Sequence, residues 1–132
     1  MDPNYYVPGL EDFRPGFEYE RYKAGTDTEY EKFTFDLSRT QAVTIRNAYA
    51  AKVESGWFRV PYLTEDQIKE LGWVQSYYDK GEISWKFKTW ILTSFESQHR
   101  IMIHYDTGFK LMDINCKSKN ELKTIMSWLK IQ

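Results

Sequence analysis

Apolar and polar residues alternate one by one through several stretches of the chain, and each such stretch predicts a strand. Residues 17–22 set Phe17, Tyr19 and Arg21 against Glu18, Glu20 and Tyr22. Residues 30–37 place Tyr30, Lys32, Thr34 and Asp36 opposite Glu31, Phe33, Phe35 and Leu37. Turn-forming Ala-Gly-Thr-Asp at 24–27 lies between them, so the pair reads as a hairpin. Further along, residues 73–78 form a strand that ends in the turn Asp-Lys-Gly-Glu at 79–82. Trp85, Phe87, Thr89, Ile91 and Thr93 then alternate with Lys86, Lys88, Trp90, Leu92 and Ser94, which predicts one continuous strand over 85–94. Residues 99–105 and 109–116, separated by Asp106-Thr107-Gly108, complete the run. Connections this short imply an antiparallel meander.

Three pairs share the spacing of a capping box: Ser38 with Gln41, Thr64 with Gln67, and Ser118 with Glu121. In each, the hydroxyl accepts from the backbone three residues on while the later side chain reaches back. The first opens a helix over 39–54, with Ala42, Ile45, Tyr49 and Val53 on one stripe and Gly56 past its end. The second opens a short helix, 65–71, closed by Gly72. The third opens a C-terminal helix in which Leu122, Ile125, Met126 and Leu129 form an apolar stripe. Residues 1–16 read as an extended N-terminal arm pinned to the body by Leu10 and Phe13. Within it Pro8-Gly9-Leu10-Glu11 is echoed by Pro15-Gly16-Phe17-Glu18. The echo is far shorter than the roughly 20 residues of a repeat unit, and Pro15-Gly16 reads as the turn into the first strand. The expectation is a single α+β domain over 1–132. Its antiparallel sheet combines the N-terminal hairpin with the C-terminal meander, packed with two or three helices including the C-terminal one.

Aromatic content sharpens this more than charge does. The 132 residues include ten Tyr, eight Phe and five Trp. Each large ring buries on the order of 150–250 Å², so the chain can fill a core and keep rings for a surface, where Tyr and Trp suit binding. The net charge of −1 argues against a protein held mainly by a phosphate backbone. Residues 1–66 carry eight basic and twelve acidic side chains, and residues 67–132 ten basic and seven acidic, so a weakly basic face is expected in the second half. The single cysteine, Cys116, excludes an intrachain disulfide and reads as a small packed apolar residue. Met-Asp-Pro-Asn shows no basic-then-apolar leader, and no apolar run approaches the about 18 residues of a membrane helix. A cytoplasmic protein with no membrane partner is expected.

The chemistry of common active sites is missing from the pattern. No phosphate-cradling glycine loop and no nucleophile elbow is present. His99 and His104, five apart in a predicted strand, point to opposite faces, and a lone cysteine offers no thiolate cluster. Cys116 precedes a helix start, where a thiolate is stabilised, but burial at a strand end is the stronger reading. Glu18 and Glu20 on one strand, with Glu29 and Glu31 on its partner, read either as one carboxylate face for a divalent ion or as a solvated acidic face. No catalytic residue, metal or cofactor is expected.

Two stretches point to binding instead. Ser-Gly-Trp-Phe-Arg-Val-Pro-Tyr-Leu at 55–63 gathers Trp57, Phe58, Arg59 and Tyr62, residue types that dominate protein–protein hot spots, although the same segment also reads as a buried strand. Lys86, Lys88, Lys110, Lys117 and Lys119, with Trp90 among them and Arg100 and Lys123 nearby, suggest the alternative of a nucleic-acid-binding sheet and helix face. A solvated helix edge is the competing reading of those lysines.

Three stretches carry a resemblance: Val-Pro-Gly-Leu-Glu-Asp-Phe-Arg-Pro-Gly-Phe-Glu-Tyr-Glu at 7–20, the Tyr62–Trp73 block with Leu63, Ile68, Leu71 and Gly72, and the Lys117–Lys123 segment of the last helix. Together and in this order they resemble small uncharacterised accessory proteins of phages and prophage-like elements. The blocks span most of the chain, but each is short, and no functional residue transfers with them. The resemblance implies a non-enzymatic protein working inside a host bacterial cell, with a protein partner such as a host defence factor.

Overall fold

The computed structural model describes residues 3–22, 29–36, 39–50, 57–96 and 98–132. Among the described residues, two antiparallel sheets and three helices, the last near the C-terminus, give an α+β fold. The contacts gather in two compact units, Met1–Pro61 and Tyr62–Gln132.

The first unit contains β1 (Tyr5–Tyr6), β2 (Glu18–Tyr22), β3 (Tyr30–Thr34), α1 (Arg39–Ala50) and β4 (Phe58–Pro61), in the sheet order β1-β4-β2-β3. Pro15-Gly16 makes the turn into β2: Phe17 N–H donates to the Arg14 carbonyl at 2.9 Å, and Gly16 has φ +91. Proline fixes the first central position of such a turn, and glycine alone takes the second without steric cost. Alternation then sends Phe17 and Tyr19 inward, where they pack with Phe35, Ile45, Ala48, Phe58 and Val60. Phe13 sits at the middle of this core, with the rings of Phe17, Tyr19, Phe35, Tyr49 and Phe58 edge-on at 5.1 to 6.0 Å.

The N-terminal arm is thus more structured than expected. It holds a short strand and a single 3-10 turn at Leu10–Asp12, in which the Asp12 carboxylate accepts from Gly9 N–H at 2.8 Å. Phe13 pins it, and so does the Tyr49 hydroxyl donating to the Pro8 carbonyl, whereas Leu10 is exposed. The buried stripe of α1 is Ile45, Ala48 and Tyr49; Ala42 faces out. Ser38, Val53 and Gly56 lie outside the described residues. Gln41 accepts from Asp36 N–H at 2.9 Å and donates to the Thr34 carbonyl, so its side chain ties the start of α1 to the end of β3.

The second unit runs α2 (Glu65–Glu70), β5 (Val74–Asp79), β6 (Glu82–Phe87), β7 (Trp90–Phe95), β8 (Arg100–Tyr105), β9 (Lys110–Asn115) and α3 (Lys119–Leu129). Its five strands pair in chain order, a meander. One face of the sheet supplies Ile83, Trp85, Leu92, Ile101 and Ile103 to a core completed by Leu122, Ile125 and Met126 of α3, with Ile68 and Trp73 beside them. The stretch expected as one strand over 85–94 is two strands. Lys88 and Thr89 turn the chain, and Phe87 pairs directly with Trp90. The Thr64–Gln67 capping box forms in both directions at 3.2 Å. At α3, Ser118 Oγ accepts from Glu121 N–H at 3.4 Å, but the Glu121 carboxylate accepts from Lys117 N–H rather than from that of Ser118.

Candidate interaction surfaces

β4 divides its residues between the two faces of the first sheet. Phe58 is 3% exposed and belongs to the core, while Trp57, one position earlier, is 48% exposed. Arg59 lies across from Glu20 and turns away from the core with Trp57. The guanidinium is held from several sides. Its Nε and a terminal nitrogen each lie 2.8 Å from Glu20 Oε1, and its carbon stands 3.7 Å from the Tyr5 ring centre and 3.6 Å from that of Tyr30. Tyr22 meets Tyr30 edge-on at 5.0 Å. The face turned away from the core therefore joins Trp57, Arg59, Tyr5, Tyr22 and Tyr30, with Glu20 beneath. Phe58 is buried in the core, so segment 55–63 does not present its four flagged side chains as one surface; Tyr62 belongs to the second unit, where it stacks on His99 at 3.8 Å.

The expected carboxylate face does not form. Glu18 pairs with Thr34 and Glu20 with Lys32, while Glu31 pairs with Arg21 on the other face of the sheet. Glu29 precedes β3, two positions before Glu31. The hairpin register joins Tyr22 to Tyr30, so even-numbered residues of β2 meet even-numbered residues of β3, and the odd-numbered Glu31 falls on the far side. Among the described residues, no group of three or more His, Cys, Asp or Glu side chains is placed to hold a metal ion.

The lysines of the second unit separate into two groups. Lys86, Lys88, Trp90 and Lys110 lie toward one end of the sheet, and Lys117 and Lys119 follow the opposite end of β9. Trp90 does not share a face with Lys86. The two-residue turn places it with Phe87 and Trp85 instead. Lys110 and Arg100 share the Asp113 carboxylate at 3.3 Å and 2.7 Å, and the Arg100 hydrogen bond holds that carboxyl well down, at about 2. Lys119 pairs with Glu70 at 3.1 Å.

A cavity of about 290 Å³ opens beside α2, floored by Ile68, Ile83 and Ile101, with His99 and Cys116 in its wall. Burial pushes the Cys116 thiol up to about 12, and the nearby Glu121 charge adds to this, so the sulfur stays protonated and makes a poor nucleophile. Sγ donates to the Ser118 carbonyl at 3.6 Å. Sequence reasoning flagged Trp57 and Arg59 but missed Tyr5, Tyr22, Tyr30, Tyr105 and Phe109. The placing of Tyr22 and Tyr30 on either side of the expected hairpin loop is a usable signal for one pair of them. Comparison with protein-family models, curated proteins and solved structures finds no match to the chain.

Proposed function

We propose that this is a non-enzymatic accessory protein of phage type that acts by binding a protein, with a host defence factor as the class of partner the resemblance implies. The supporting observation is the outer face of the first sheet, where Trp57 and three tyrosines surround Arg59. Tyr, Trp and Arg carry most of the binding energy at protein interfaces, because each offers a large contact area together with a polar group. Arg59 is already fixed between two rings and a carboxylate, so little side-chain entropy remains to be lost on binding. The test uses the tagged full chain on a host-cell lysate, with Trp57→Ala in parallel and size-exclusion chromatography for self-association. A partner, or a second copy, held by the native chain and lost from a Trp57→Ala chain of unchanged melting temperature is expected. No retained protein together with no self-association, or retention indifferent to Trp57, would sink the proposal.

A further inference from the structure

One end of the second sheet gathers rings and lysines from four strands. Phe87 pairs with Trp90, and Trp90 with Tyr105, so aromatic residues of three adjacent strands share a face there. The Trp90 and Tyr105 ring centres are 4.8 Å apart. Phe109 stands next to them, its carbonyl accepting from Tyr105 N–H at 3.0 Å. Exposure grows along the row. Phe87 and Trp90 rest partly on the core, Tyr105 is 38% exposed, and Phe109 is 67% exposed. The β6–β7 and β8–β9 turns are fastened together by Asp106 N–H donating to the Thr89 carbonyl at 2.9 Å, which fixes the spacing of the rings.

The lysines at this end divide between the faces: Lys88 lies in the turn beside the rings, while Lys86 and Lys110 belong to the row Lys86–Ile91–His104–Lys110 on the opposite face. Residues 86–90 and 104–110 contain three lysines and one acid, Asp106. Lys86 and Lys88 make no ion pair among the described residues. Lys88 also holds φ +54 in a two-residue turn, where glycine or asparagine would be more comfortable.

We propose that this end of the sheet binds single-stranded nucleic acid, with bases stacking on Tyr105 and Phe109 and the phosphate backbone passing Lys88 in the adjoining turn. Rings accept any base because every base has a flat face, and lysines beside them track the backbone. Bases in a duplex are already stacked on one another, so the site favours single strands. The inference stands on the second unit alone and does not depend on the protein-binding face of the first.

The test is a titration of a dye-labelled oligothymidylate of about 12 nucleotides with the full chain, read by fluorescence anisotropy at low and high salt. Binding at low salt that weakens as salt rises is expected, with a duplex of equal length bound more weakly. Phe109→Ala and Tyr105→Ala each lower the affinity about 5- to 100-fold, while Phe109→Trp keeps it, and Lys88→Gln flattens the salt dependence. Phe109 is largely exposed, so an unchanged melting temperature for Phe109→Ala separates lost binding from lost folding. The proposal fails if the oligonucleotide gives no anisotropy change at low salt, if both alanine variants bind like the native chain, or if the duplex binds as tightly as the single strand.

Discussion

Arg59 shows how much one residue of the first sheet depends on geometry that composition does not reveal. Its carboxylate partner Glu20 is only 8% exposed, so removing the guanidinium leaves a shielded negative charge without its closest cation. Two stacked rings and this partner together predict that Arg59→Ala costs about 2–4 kcal/mol. Arg59→Lys is expected to recover less than half of that, because an ammonium keeps the charge but lacks the flat fork that stacks on both tyrosines. Denaturant midpoints of the two variants check this, and a lysine variant as stable as the native chain would show that the stacking contributes nothing. Arg59 and Trp57 were legible in the sequence as hot-spot residue types. The rings around them were not, because Tyr5, Tyr22 and Tyr30 arrive on three other strands and only the register brings them together. The same register undid the carboxylate face: spacing along one strand says which glutamates agree with each other, but not which face their partners join.

At the scale of elements, the two hairpins that flank β6 differ in a way that explains the main misreading. Between Asp79 and Glu82 the turn is Lys80-Gly81, with φ +47 and +87, the pair of positive values a tight hairpin turn prefers. Its glycine makes it visible in the sequence. Between Phe87 and Trp90 the turn is Lys88-Thr89, which contains no glycine, proline or asparagine. A two-residue turn pairs positions three apart, so an odd-numbered residue of one strand shares a face with an even-numbered residue of the next. Simple alternation runs through such a turn without a break, and 85–94 therefore looked like one strand with Trp90 beside the lysines. Helix starts were easier, since a cap is set by residues three apart in the chain, as at Thr64. The strained turn yields a prediction: Lys88→Gly removes the clash of a side chain at positive φ and raises stability by about 0.5–1 kcal/mol. Thermal unfolding measures it. On the proposed nucleic-acid site the same change weakens oligonucleotide binding, so the hairpin gains stability as the surface loses a charge.

At the scale of the whole molecule, each unit buries a group that resists ionisation, and this shapes the response to pH. Burial raises Tyr49 in the first unit to about 12, helped by the charges of Asp12 and Glu11, and burial raises Cys116 in the second to about 12. A group whose folded value lies above its unfolded one favours the folded chain in full below the unfolded value, and that contribution fades as pH climbs to the folded one. For Cys116 this window opens near its ordinary value of 9.0 and closes at about 12, and for Tyr49 it opens near 10.0. Asp113 acts at the other limit. Its hydrogen bond from Arg100 holds it at about 2, so its contribution is present above its ordinary 3.8 and is lost as pH falls toward 2. These three groups leave stability flat between about pH 4 and 9 and make it decline on both sides. Cys116→Ala is expected to lower stability at neutral pH by the loss of a packed sulfur, yet to flatten the decline between pH 9 and 12. Asp113→Asn should flatten the acid side and leave the alkaline side as it was. Urea unfolding followed across pH 2 to 11 separates the two effects. An alkaline decline identical in the native and Cys116→Ala chains would remove the buried thiol from the account and leave it to the two tyrosines of the first unit that burial raises, Tyr19 in the core and Tyr49 with its hydroxyl on the Pro8 carbonyl.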